Sequence, residues 1–203
     1  AVDALVGNSF YDFDLEQWGF KRNNKEQWSS YFKRLQSHPA WGTKNIVSWD
    51  VNIQGAREIN STVTANPEVY YFSFVNSNTV LDSSSGRHIP NNTMSFIIRS
   101  NARLMGMKKA YFEDGTSTDS TWFENDGIVN KKSMYGPTTG LNGADPITNY
   151  SEDEILIPGQ WYAMNGLKMD HRRMVGHGAK EKDYKLLMEK YITHLKLIQS
   201  LPK

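Results

Sequence analysis

The feature that most constrains the fold is a nearly continuous apolar run at residues 68–76, EVYYFSFVN. The run is rich in β-branched and aromatic residues and follows the turn signal Asn66-Pro67, which predicts a β-strand. An apolar strand without polar alternation is typical of a sheet that is covered on both faces. A second strand-like segment lies at residues 155–164, and we predict an edge position for it because Pro158-Gly159 interrupts it.

Helical patterns alternate with these strands. Residues 180–201 predict the clearest helix, because Tyr184, Leu187, Tyr191, Leu195 and Ile198 form one apolar stripe. Another amphipathic helix is predicted at 25–38, ended by Pro39. Strands that alternate with helices and long loops favour an α/β layered domain over a helical bundle or a β-sandwich. The remaining segments are predicted as a weak helix at 55–65, helical or irregular structure at 94–107, a short strand or extended piece at 47–51, and a polar loop at 77–92.

Composition narrows the function classes. The chain has 203 residues, about one domain or a little more. A net charge of +1 gives no electrostatic reason to expect nucleic acid or an anionic membrane as the main partner. The absence of cysteine excludes disulfides, thiolate metal sites and cysteine nucleophiles. Because the chain begins with Ala1 rather than Met, we expect that another segment precedes it.

Among the five histidines, His171 has the strongest functional context. It lies in a glycine-containing loop, residues 170–178, that follows a strand-like segment and precedes the long helix. Such a loop can present a histidine at the end of a sheet, where α/β proteins place their sites. A capping role is expected for His38, because a cation at a helix end suits the dipole, and a satisfied structural role is expected for His194, beside an apolar stripe.

The tripeptide Asn125-Asp126-Gly127 has two interpretations. It is first a turn signal, but an aspartate held in a tight turn can also orient a histidine in a hydrolase triad. Asp126 precedes His171, as the acid precedes the histidine in α/β-hydrolases. No Gly-x-Ser-x-Gly nucleophile motif is present. The residues alone therefore offer two members of a triad without the serine.

Four motifs together carry a resemblance to a known family. They are YDFDLEQWGFKR at 11–22, a helix followed by HPAW at 38–41, WFENDGIVN at 122–130, and MDH at 169–171. In these motifs the chain resembles the C-terminal half of the large secreted triacylglycerol lipases of Gram-positive bacteria, the staphylococcal and Geobacillus type. The resemblance covers most of the chain.

The resemblance implies the C-terminal portion of an α/β-hydrolase fold, as a single region: a lead-in with a candidate lid helix at 1–40, then core strands, triad-bearing loops and the last helix at 41–203. It implies that Asp126 is the triad acid and His171 the general base of a secreted ester hydrolase. The serine would then lie in a missing N-terminal half or a companion chain. The alternative is a lipase-derived binding or structural module without catalysis. For the helix at 25–38, a core element and a mobile lid both stay open.

The family's metal positions are poorly matched. The aligned zinc position is Asn45, a weak zinc ligand. The positions of the family's calcium site correspond to Arg173 and approximately Gly178, where the family has acidic residues. We therefore expect no cofactor. The implied partners are an acylglycerol or other ester substrate, the serine-bearing N-terminal half and a lipid surface, but no nucleic acid.

Overall fold

The computed structural model describes residues 19–45, 47–137 and 147–202. The chain forms two compact units, Ala1–Ala56 and Arg57–Lys203. Most of the YDFDLEQWGFKR motif, residues 11–18, lies outside the described part. Within its described residues, the first unit contains the helices α1 (Trp28–Gln36), α2 (Val47–Asp50) and the beginning of α3 (Ile53–Asn60), with a 3₁₀ turn at Pro39–Gly42 after α1.

Helix α1 confirms the amphipathic pattern at 25–38. Tyr31 is buried, while Trp28 is 42% exposed, and the turn that begins at Pro39 replaces a further helical turn. The extended piece predicted at 47–51 is wrong, because this segment is the helix α2. The Val51 amide donates to the Val47 carbonyl at 3.0 Å. Both valines are more than 70% exposed, and none of the described strands pairs with this segment. Their preference for β-strands therefore does not determine the local structure.

The second unit contains a parallel sheet in the strand order β1–β5–β4. The strands are β1 (Tyr71–Val75), β4 (Ile147–Asn149) and β5 (Trp161–Asn165), and Tyr71 pairs with Trp161. The strand predicted at 68–76 is confirmed. The edge position predicted for 155–164 is wrong, because β5 lies between the other two strands. Pro158 and Gly159 precede β5 and do not interrupt its ladder, and the Gly159 amide donates to the Val69 carbonyl at 2.8 Å.

The polar segment at 77–92 forms a β-hairpin instead of the predicted loop. Its strands are β2 (Thr79–Asp82) and β3 (Arg87–Pro90). The Asp82 carboxylate closes the turn by accepting hydrogen bonds from the hydroxyls of Ser84 and Ser85, at 2.7 and 2.6 Å. These bonds hold the pKa of Asp82 below its usual value. Serines that suggest a flexible loop thus build a tight turn.

Three further helices lie in the described part of the second unit. A 3₁₀ turn at Phe96–Ile98 leads into α4 (Arg99–Met105), which confirms the helical interpretation of 94–107. After a short helix α5 (His171–Met174), the long helix α6 (Glu181–Ser200) confirms the pattern at 180–201. Of the predicted stripe, Leu187 is fully buried against Met169 and Met174. Tyr184, Leu195 and Ile198 are 45–58% exposed.

Candidate active site

The WFENDGIVN motif folds into a tight turn that presents Asp126. Residues Asn125 and Asn130 pair across the turn, and Gly127 adopts a φ of +99°, which a side chain would disfavour. The Asp126 Oδ1 accepts the amides of Ile128 and Val129 at 3.0 and 2.8 Å. The turn interpretation of this tripeptide is therefore correct at the level of the backbone. It leaves the second carboxylate oxygen, Oδ2, available for another partner.

That partner is His171. Its Nδ1 lies 2.9 Å from Asp126 Oδ2, and its backbone amide donates to the Asp126 carbonyl at 3.1 Å. The Asp126 side chain is 2% exposed, whereas that of His171 is 43% exposed. When Nδ1–H donates to the carboxylate, Nε2 bears the lone pair of the neutral ring. The two predicted site residues thus come together as a buried acceptor and an accessible base.

Asn125 is a residue of the site that sequence reasoning treated only as part of a turn signal. It is fully buried. Its side-chain Nδ2 donates to the carbonyls of Ala102 and Phe123 at 3.1 and 2.9 Å, and its Oδ1 accepts the Gly127 amide at 2.9 Å. Asn125 therefore joins helix α4 to the turn of Asp126. Asparagine is usually exposed in folded proteins, and no pattern in a single sequence indicates that a particular asparagine is buried.

A second buried carboxylate lies directly before His171. Asp170 is fully buried and caps helix α5, where its Oδ1 accepts the Arg173 amide at 3.2 Å. Its Oδ2 accepts the Ser95 amide at 2.8 Å and lies 3.5 Å from Arg173 Nε. The Arg173 Nη1 is also 3.7 Å from Asp183 Oδ2, in the first turn of α6. These contacts join three segments of the chain next to His171: the segment at Ser95, helix α5 and the start of helix α6.

Three of the other histidines, His38, His88 and His194, have structural surroundings. The ring of His38 packs edge-on against Phe20 at 4.5 Å. His88 Nδ1 lies 3.3 Å from the Thr79 hydroxyl, and burial lowers the pKa of His88. The ring of His194 lies edge-on to Phe72 and Phe74, and burial likewise lowers its pKa. The ring contacts of His194 agree with a structural role, but its buried Nδ1 has no hydrogen-bond partner among the described residues. For His38 the structure gives a ring contact with Phe20, and the capping role stays a prediction.

Among the described ranges, no three His, Asp or Glu residues lie so that they could together hold a metal ion. Likewise, none of the helices in these ranges is long and apolar enough to span a membrane.

Solved structures similar to this chain include EstA and two lipases. The structure of EstA from Clostridium botulinum aligns with a TM-score of 0.70 and 34% identity, over 90% of this chain and 43% of that one. Lipase 1 from Pelosinus fermentans aligns with a TM-score of 0.65 and 29% identity, over 94% and 51%. Staphylococcus hyicus lipase, at 24% identity and a TM-score of 0.66, shares the fold. The predicted α/β class is therefore confirmed.

The family is also shown by sequence. A family model described as "Lipase-like, C-terminal domain" matches residues 1–185, and the chain belongs to that family. The Staphylococcus hyicus protein "Lipase" is 28% identical over 169 residues, which are 83% of this chain and 24% of that protein. "Lipase 1" of Staphylococcus aureus strain N315 is 29% identical over 130 residues, 64% of this chain and 18% of that protein. The chain thus spans less than a quarter of these curated relatives and about half of the solved ones.

Proposed function

We propose that this chain provides the acid and the base of a Ser-His-Asp ester hydrolase, with acylglycerols as the substrate class. The observation that carries the proposal is the contact of 2.9 Å between the buried Asp126 carboxylate and Nδ1 of the accessible His171. A carboxylate in this place fixes the tautomer of the histidine and stabilises the imidazolium that forms during the reaction. The family to which the chain belongs supports the hydrolase interpretation.

Each group has a defined task in this mechanism. Two backbone amides hold Asp126 Oδ1, so the carboxylate cannot rotate away from His171 without losing both bonds. The His171 Nε2 takes the proton of an attacking serine hydroxyl. It then gives that proton to the leaving alcohol, and in the second half of the cycle it activates water against the acyl-serine.

The serine has to come from outside these residues, since the chain has no Gly-x-Ser-x-Gly motif. We place it in an N-terminal part of the same protein or in a companion chain. The partial coverage of the relatives supports this placement. A secreted protein that works on neutral esters at a lipid surface accords with the near-zero net charge, because such a substrate needs no charged patch.

A lipase-derived module without catalysis is the second candidate. It is favoured by the missing nucleophile motif and by Arg173, which stands where the lipase resemblance implies an acidic residue. This candidate predicts that the Asp126–His171 pair contributes to packing alone.

Activity-based labelling separates the two candidates. The native protein is treated with a serine-reactive fluorophosphonate probe, and its intact mass and N-terminus are determined. We expect the probe on a serine outside residues 1–203, with hydrolysis of p-nitrophenyl esters that the label abolishes. Native protein that begins at Ala1, has no partner and cleaves no ester would contradict the proposal and favour the module.

A further inference from the structure

The buried negative charge of Asp170 needs a compensating positive group, and the Asp126–His171 pair does not supply one. Asp170 is a fully buried carboxylate immediately before His171. A buried charge is tolerated when it is paired and hydrogen-bonded. Its hydrogen bonds come from the backbone amides of Ser95 and Arg173, and its positive partner is the Arg173 guanidinium.

Arg173 also reaches a second carboxylate. Its Nη1 lies 3.7 Å from Asp183 Oδ2, and that same oxygen accepts the Lys180 amide at the start of helix α6 at 3.3 Å. The Arg173 side chain is 16% exposed. One guanidinium therefore lies between the carboxylate that precedes His171 and the first turn of the last helix.

The residues of this region do not fit the calcium ion that the lipase resemblance implies. Calcium takes six to eight oxygen ligands, while a guanidinium has five N–H donors and no acceptor. A cavity of about 600 Å³ adjoins the cluster, and basic side chains dominate its charged lining. The charged lining residues are Arg99, Lys168, Arg173, Lys180, Lys182 and Asp183. Their positive charge opposes the entry of a divalent cation.

We propose that Arg173 is a positioning residue that supplies, from within the chain, the positive charge that holds the loop of His171. The guanidinium compensates Asp170 and ties it to Asp183, so the loop needs no metal ion. Since Asp170 directly precedes His171, a loss of this charge displaces the imidazole from Asp126. The catalytic importance of that position rests on the proposed function, but the contact itself can be tested without any assay of hydrolysis.

The test combines metal removal with a charge deletion in the whole chain. Thermal unfolding of the unaltered protein is compared in EDTA and in excess calcium, and we expect the same Tm. Arg173→Met keeps the aliphatic stem and removes the charge. We expect it to lower Tm by about 6–20 °C, because it leaves a buried carboxylate without its cation. Arg57→Met is the matched control: it breaks the exposed pair with Asp114 at 3.0 Å, and we expect a shift of at most about 4 °C.

A proton NMR signal separates positioning from general stability. A histidine Nδ1–H that donates to a carboxylate gives a low-field resonance, which His171→Ala would assign by its disappearance. We expect Arg173→Met to weaken or abolish this resonance at a temperature where the protein is still folded, and Arg57→Met to retain it.

Two results would overturn the proposal: a Tm of the unaltered chain that falls in EDTA and is restored by calcium, or Arg173→Met with an unchanged Tm and resonance. If Arg173→Met does not accumulate as folded protein, the metal titration of the unaltered chain decides alone. Because neither readout measures hydrolysis, failure of this proposal is distinguishable from failure of the proposed function.

Discussion

Replacing Asn125 by alanine tests whether the turn of Asp126 is held by this one buried amide. The substitution removes three hydrogen bonds of 2.9–3.1 Å. It leaves the carbonyls of Ala102 and Phe123 and the amide of Gly127 without that partner. The site is fully buried, so water cannot replace the lost bonds without entering the core.

The expected cost follows mainly from two of these groups, because the Ala102 carbonyl still accepts the Gly106 amide at 2.9 Å. A buried backbone group that loses its partner costs about 1–3 kcal/mol. The losses do not add fully, because the turn relaxes and some groups find new partners. We therefore expect Asn125→Ala to lower the free energy of unfolding by about 2–4 kcal/mol, a large share of the total for a domain of this size.

Urea titration followed by circular dichroism measures this loss. Asn66→Ala is the matched control, because the Asn66 Oδ1 accepts one backbone amide, that of Glu68, at 2.9 Å at an exposed site. We expect the control to cost less than about 1 kcal/mol. Equal losses for the two variants, or a loss below about 1 kcal/mol for Asn125→Ala, would refute the idea that Asn125 holds the turn.

Three further predictions follow from glycine geometry, histidine burial and the sheet edges. Gly127→Ala should lower stability by about 1–3 kcal/mol, since φ is +99° and the new Cβ would lie 2.6 Å from Ile98 Cδ1; Gly86→Ala, at positive φ in open space, should cost less in the same urea titration. Burial lowers the pKa of His194, so as pH falls the unfolded chain binds a proton before the folded chain does, and stability should fall as pH drops below about 6.5. In measurements of Tm against pH, His194→Phe should reduce this pH dependence. The pKa of His88 is also lowered by burial, and His88 should account for part of the pH dependence that remains. Strands β1 and β4 have unpaired outer sides in the described part of the chain, so the isolated chain should pair with its other half or self-associate, and a stable monomer in ultracentrifugation would contradict this.

Periodicity and residue type predict a helix or strand correctly where the local sequence pattern and the tertiary contacts favour the same structure. Helix α6 and strand β1 are of this kind: the apolar stripe of α6 buries Leu187, and the apolar run forms a strand that is half-buried along its length. The central place of β5 is not predictable from Pro158-Gly159, because the turn residues precede the strand instead of breaking it. The hairpin of β2 and β3 is missed because its strands have only four residues each, polar residues flank them, and side-chain bonds to Asp82 close the turn.

The candidate site likewise contains some residues that the sequence predicts and others that it does not. The lipase resemblance, together with the chain order, predicts Asp126 and His171 as a pair, and the structure brings them to 2.9 Å. The buried partners of the pair do not follow from the sequence. Asn125 and Asp170 belong to residue types that are mostly exposed, and only the path of the chain shows that backbone donors and acceptors surround them.

The hydrolytic role of His171 is tested most directly by substitution in the native protein that contains this chain. Ester hydrolysis is compared for the unaltered protein, His171→Ala and His177→Ala. His177 is the control because it is exposed and lies in the same loop, where its backbone amide donates to the Arg172 carbonyl at 2.8 Å. We expect kcat/KM to fall at least about 10³-fold for His171→Ala and to change little for His177→Ala. Full activity in His171→Ala would contradict the assignment of His171 as the general base.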